Sequence, residues 1–157
     1  MKARTVLPIL AAAAAILTAA PALAADNCAG AEGPGMARLV VEVHGAKPLR
    51  GEVAVTVYPN SRKRFLAPGG KLARQRVKTA PVSTACFWLP PGQYAVAVYH
   101  DANGNEDFDR TIVGMPAEGF GFSNDAPTRV GLPPLEAVRF RFNAGDPPLK
   151  INLRYMR

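Results

Sequence analysis

Two apolar runs, folded back on each other at Pro90-Pro91-Gly92, constrain this chain more than any other feature. Before the turn, from Ser83 to Leu89, Ala85, Phe87 and Leu89 alternate with Cys86 and Trp88. After it, Tyr94, Val96 and Val98 alternate with Ala95, Ala97 and Tyr99. A period of two marks a strand, because successive side chains leave opposite faces of the pleat. Two such runs around a Pro-Gly turn predict a β-hairpin. The same alternation recurs in Leu39-Val41-Val43 against Arg38-Glu42-His44, and in Val53-Val55-Val57 against Ala54-Thr56-Tyr58. It returns in Val138-Phe140-Phe142 against Arg139 and Arg141, and in Ile151-Leu153-Tyr155 against Asn152 and Arg154. A further strand, at a sheet edge, is expected near Leu72 to Lys78, where lysine and arginine discourage edge-to-edge pairing.

No stretch of the mature chain carries the period of an amphipathic helix. Short strands separated by Pro/Gly turns predict an all-β fold, an antiparallel β-sandwich of about seven strands. Its expected core is Leu39, Val41, Val43, Val53, Val55, Val57, Phe87, Leu89, Tyr94, Val96, Val98, Phe140, Phe142, Ile151 and Leu153. Pro133 to Glu136 reads as a short turn. Ile112 to Gly131 reads as a long irregular segment anchored by Phe120 and Phe122; such segments are usually functional or packed down by their own side chains.

The start of the chain reads as an address rather than as fold. Lys2 and Arg4 precede an apolar run from Val6 to Leu17, and Ala22-Leu23-Ala24 supplies small residues for cleavage. This is the pattern of a signal peptide over 1–24, leaving 25–157 as a single domain in the periplasm or outside the cell. Ala25-Asp26-Asn27 before Cys28 is unsuited to lipidation of that cysteine. Cys28 and Cys86 are the only cysteines, and an even count in an oxidising compartment favours a disulfide between them.

Without Lys2 and Arg4 the net charge falls from +7 to about +5. No acidic residue stands between Val53 and His100, whereas half of the acids fall between Asp101 and Asp125. Arg62, Lys63, Arg64, Lys71, Arg74, Arg76 and Lys78 form a basic stretch that suits either a solvated loop or an anionic envelope component such as a membrane surface. Nucleic acid is excluded as a partner by export, and a monomer is expected.

The acidic side centres on Tyr99 to Asp109, YHDANGNEDFD. Asp101, Asn103, Asn105, Asp107 and Asp109 put oxygen-bearing side chains at alternate positions, with Glu118 a more distant carboxylate. Calcium prefers six to eight such oxygens, so these residues are candidate calcium ligands. An EF-hand needs glycine at the sixth position and glutamate at the twelfth; Glu106 and Ile112 stand there, and a strand precedes the loop. The alternative is a turn whose Asn, Gly and Asp residues bond their own backbone. A hydrolase of envelope glycans using Asp101, Asp109 or Glu118 as acid and base would need two carboxylates flanking a cleft. His44 and His100 are too few for a zinc site, and His100 should point with Val98 into the core as a hydrogen-bonded histidine. Ser123 does not lie in a Gly-x-Ser-x-Gly elbow. Neither a catalytic residue nor an organic cofactor is expected, and a non-enzymatic binding or accessory module is the leading reading.

Three stretches resemble the exported bacterial domains grouped as DUF2141. They are Leu89-Pro90-Pro91-Gly92-Gln93-Tyr94-Ala95-Val96-Ala97-Val98; His100-Asp101-Ala102-Asn103-Gly104-Asn105 with Asp109; and Gly114-Met115-Pro116-Ala117-Glu118-Gly119-Phe120-Gly121-Phe122-Ser123-Asn124. The resemblance implies an exported β-sandwich similar to prealbumin-like or carboxypeptidase-regulatory-like domains, and brings no activity. It also links the Asp101 loop with Glu118 and with Phe122-Ser123-Asn124, which leads to the expectation that the two loops meet at one end of the sandwich.

Overall fold

The structure, a computed structural model, describes residues 27–128 and 131–156. The signal-peptide reading of 1–24 lies outside these residues. Eight strands form in chain order: β1 (Ala37–His44), β2 (Glu52–Pro59), β3 (Ala73–Lys78), β4 (Val82–Leu89), β5 (Gly92–Asp101), β6 (Gly119–Phe122), β7 (Phe140–Phe142) and β8 (Leu149–Asn152). A 3-10 turn (Ser123–Asp125) and one helical turn, α1 (Leu135–Val138), are the helical pieces among the described residues. None of the described helices is long and apolar enough to cross a membrane.

The strands make the two sheets of a sandwich. The smaller has the order β4-β1-β8, with β1 antiparallel to β4 and parallel to β8. The larger runs β3-β2-β5-β6, and β7 pairs with the start of β5 on the same side as β6. Valine at every second position of β1, β2 and β5 faces inward, and Phe87, Phe142 and Ile151 fill the space between the sheets. Every residue of the expected core lies there, with Phe140 only partly buried. The edge strand expected near Leu72 to Lys78 is β3.

After β8 the chain crosses from one sheet to the other. Leu153 donates to the His44 carbonyl, continuing the pairing with β1, and Arg154 then exchanges both backbone hydrogen bonds with Phe120 of β6. Gly119 permits this closure, because a Cβ there would overlap the Tyr155 ring. Tyr155 in turn clamps the core. The Arg50 carbonyl 2.8 Å from His100 Nε2 requires the proton on that nitrogen, so in the neutral ring the Tyr155 hydroxyl donates to Nδ1 over 2.8 Å. The same hydroxyl accepts from the Lys47 N–H. His100 is therefore the buried, hydrogen-bonded histidine that its alternation with Val98 suggests.

Along the β4 edge of the smaller sheet, Cys28 and Cys86 form a disulfide. Ala29 pairs beside β4, donating to the Cys86 carbonyl and accepting from the Trp88 N–H. This bridge fits an oxidising compartment.

Three expectations are corrected. Val138 is not in a strand with Phe140 and Phe142; it closes α1 and faces the opposite side of the larger sheet. The last strand ends at Asn152, so Tyr155 lies beyond it. The long segment from Ile112 to Gly131 is not irregular throughout; it contains β6.

Candidate functional site

The Asp101 loop leaves the end of β5 and is built around one carboxylate. Asp101 is fully buried at 0% exposure. Its Oδ1 accepts from the N–H groups of Gly104 and Asn105, and its Oδ2 from the Glu106 N–H at 2.8 Å and from Arg76 Nη1 at 3.0 Å. Burial alone would raise its pKa, but these donors outweigh burial and hold the group below its ordinary 3.8. Arg76 also donates to the Tyr99 hydroxyl and the Glu106 carbonyl and lies 3.8 Å from Glu52. Gly51 hugs this turn at a positive φ of 72°, where a side chain would collide with the Asp101 carbonyl.

The other candidate ligands also bond within the loop. Asn103 and Asn105 both donate their amides to Asp109, while their side-chain oxygens accept the N–H groups of Asn105 and Asp107. Asp109 N–H donates to Glu118 Oε2 at 3.2 Å. Burial, with the nearby charges of Asp109 and Asp101, raises the Glu118 pKa above its ordinary 4.5 despite that donation. The side-chain oxygens of Asp101, Asn103, Asn105 and Asp109 that a cation would need are thus turned toward donors of the loop itself. Among the described residues no group of three His, Cys, Asp or Glu side chains is placed to hold a metal.

Four arginines of the basic stretch have partners within the domain. Arg62 pairs with Glu136, Arg64 donates to the Lys71 carbonyl, Arg76 turns onto Asp101, and Arg74 donates to the Thr56 hydroxyl at 2.8 Å.

Arg74 leads to a site that the alternation pattern does not reveal. The outer face of the larger sheet carries a second apolar cluster: Ala54, Tyr58, Ala95, Tyr99, Phe120 and Phe122 under Ala126, Leu135 and Val138. Six rings make an arc of tilted and edge contacts, Tyr58–Phe65–Phe122–Phe120–Phe108–Tyr99, with centroids 5.5–6.3 Å apart. Five of these rings, all but Phe65, line a pocket of about 250 Å³ together with Ala97 and Thr56. Arg74 and Arg110 are its charged lining residues. The Arg74 guanidinium lies 5.8 Å from the Tyr99 ring centre, and that of Arg110 lies 5.3 Å from the Phe108 ring centre. None of Asp101, Asp109 and Glu118 lines this pocket.

Residues 41–150 match the model of the family described as "Uncharacterized protein conserved in bacteria (DUF2141)". The chain belongs to the DUF2141 family. No curated protein and no solved structure matches it.

The three motifs of this DUF2141 domain sit differently from one another. The first is the β4–β5 turn and β5 itself, and the second is the Asp101 loop. The third divides. Glu118 meets the Asp101 loop as expected, but the residues after it pair along β5, His100 with Gly119 through Ala97 with Phe122. This carries Ser123 and Asn124 to the Val96 level, away from the loop. There the Ser123 hydroxyl accepts from Val96 N–H and donates to the Val138 carbonyl, and the Asn124 amide holds the Ala137 and Arg139 carbonyls. The expectation of two loops meeting at one end thus holds for Glu118 and fails for Phe122-Ser123-Asn124.

Pocket residues missed in the sequence did leave one signal. The outward positions of β2 and β5 (Ala54, Thr56, Tyr58; Ala95, Ala97, Tyr99) contain no charge, and a strand apolar on both faces is normally covered on both.

Proposed function

We propose that this DUF2141 domain is an exported, non-enzymatic binding module whose ligand occupies the ring-lined pocket on the outer face of the larger sheet. The observation that carries this reading is that five rings of the arc, Tyr58, Tyr99, Phe108, Phe120 and Phe122, line one pocket together with the small side chains of Ala97 and Thr56. Apolar concavities with a few convergent polar groups are the usual form of small-ligand sites. In this reading the Asp101 loop is a self-bonded clamp that holds Phe108 and Arg110 against the pocket, rather than a cation site or an acid–base pair. Export rests on the N-terminal pattern together with the Cys28–Cys86 bridge.

The test is an amide and methyl NMR titration of the mature protein with a naphthyl probe. Shifts concentrated at Ala97, Tyr99 and Phe120, and abolished by Ala97→Phe, are expected. A probe that moves only residues elsewhere would refute the assignment.

A further inference from the structure

The pocket has a chemical bias that its apolar walls do not account for. Its two charged lining residues are both arginines, and no aspartate or glutamate lines it. Arg74 and Arg76 leave β3 on the same face but end differently. Arg76 is met by Asp101 at 3.0 Å and Glu52 at 3.8 Å. Arg74 is steered instead by neutral partners: Nε donates to the Thr56 hydroxyl, and the group lies beside the Tyr58 hydroxyl and over Tyr99. Arg110 comes from the other side of the pocket, held over Phe108 with Nη1 on the Gly114 carbonyl at 3.1 Å. Among the described residues neither Arg74 nor Arg110 has a carboxylate within ion-pair distance. Two guanidinium groups thus border a ring-lined pocket that supplies no negative charge of its own.

We infer that the ligand is a small carboxylic acid with an apolar body, its body against the rings and its carboxylate on Arg74, with Arg110 at the rim. This rests on the pocket being the binding site. A guanidinium offers parallel N–H groups that match a carboxylate in a way a point charge does not. Holding Nε on Thr56 fixes the plane of the Arg74 group before any ligand arrives, which reduces the ordering cost of binding. The volume, about 250 Å³, exceeds the roughly 150 Å³ of a cavity that takes up one benzene, so the body is one or two rings or a short acyl chain.

The inference is tested with matched acid and amide probes: naphthoate against naphthamide, and octanoate against octanamide, each titrated by calorimetry and by NMR. The acid of at least one pair should bind about tenfold more tightly than its amide, as expected for charge-assisted hydrogen bonds. The aryl and acyl pairs show which body the rings accept. Arg74→Gln should bring acid affinity down to that of the amide and leave amide binding unchanged. Arg110→Gln, on a separate loop, gives a second reading if Arg74→Gln does not fold, and Lys63→Gln serves as an off-site control. Equal binding of acid and amide at Ala97 and Tyr99 would overturn the carboxylate while leaving the pocket in place. No shift at the pocket with any of the four probes would overturn the pocket reading itself.

Discussion

Arg76 and Asp101 form an ion pair at 3.0 Å in which the carboxylate is wholly buried and the arginine side chain is 18% exposed. The pair joins β3 to the end of β5 across the intervening β2, and it fixes the turn that follows. A buried charge left without its partner is costly, commonly about 3–5 kcal/mol. Asp101→Ala should therefore destabilise the domain by about that amount in denaturant unfolding, because three loop N–H groups lose their acceptor as well. In a double-mutant cycle with Arg76→Met the two effects should couple by about 1–3 kcal/mol. Additive effects would show that the pair does not organise the loop.

Asp101 and Glu118 should push the pH dependence of stability in opposite directions. The folded pKa of Asp101 is depressed, so its contribution is present above its ordinary 3.8 and is lost as pH falls through the lower folded value. The folded pKa of Glu118 is raised, so its contribution is full below its ordinary 4.5 and is lost as pH rises through the higher folded value. Relative to Glu118→Gln, the wild-type protein should lose stability as pH climbs above 4.5 and then level off. Relative to Asp101→Asn, its advantage should shrink only below 3.8. Unfolding curves across the acid range measure both, and parallel curves for the three proteins would contradict the assignment.

Calcium should leave the melting temperature unchanged. The Asp101 carboxylate accepts from three loop N–H groups and from Arg76, and the Asp109 carboxylate and the Asn103 and Asn105 side-chain oxygens accept from loop donors, so a bound cation would have to compete with these donors. A ligand that binds the folded state raises stability with concentration by mass action. A steady rise in melting temperature up to millimolar calcium would show a cation site and overturn the self-bonded reading of the loop.

Loss of the Cys28–Cys86 bridge should cost about 4 kcal/mol in the chain-entropy account, given its sequence separation of 58. Denaturant midpoints of the oxidised protein and of a Cys28→Ser/Cys86→Ser variant give the difference directly. A loss below about 1 kcal/mol would mean that the unfolded chain is already compact around this segment.

The sandwich core was legible because valine and phenylalanine alternate with little interruption in β1, β2, β4 and β5. The outer layer was harder to read, because its positions on the larger sheet are alanines and tyrosines that resemble filler rather than a second core. Gly119 and Gly121 hid β6, since they contribute no side chain to an alternating pattern. Val138 continues the alternation of Phe140 and Phe142, yet the backbone coils through α1 and delivers it to the other face. In the Asp101 loop the composition was plain but its use was not. An oxygen aimed at a cation and an oxygen aimed at a neighbouring N–H are the same residue in a sequence.

The Ala29 pairing beside β4 bears on solubility as well as on folding. β4 is a border strand of the smaller sheet, and its outward backbone groups at Cys86 and Trp88 are occupied by Ala29, with the Gln75 side chain accepting from Cys86 N–H. Reduction of the disulfide would release residues 27–30 and uncover a row of unpaired backbone groups, the template on which strands from separate molecules zip together. The bridge therefore also guards against polymerisation, and light scattering after mild reduction should rise before the sandwich itself melts.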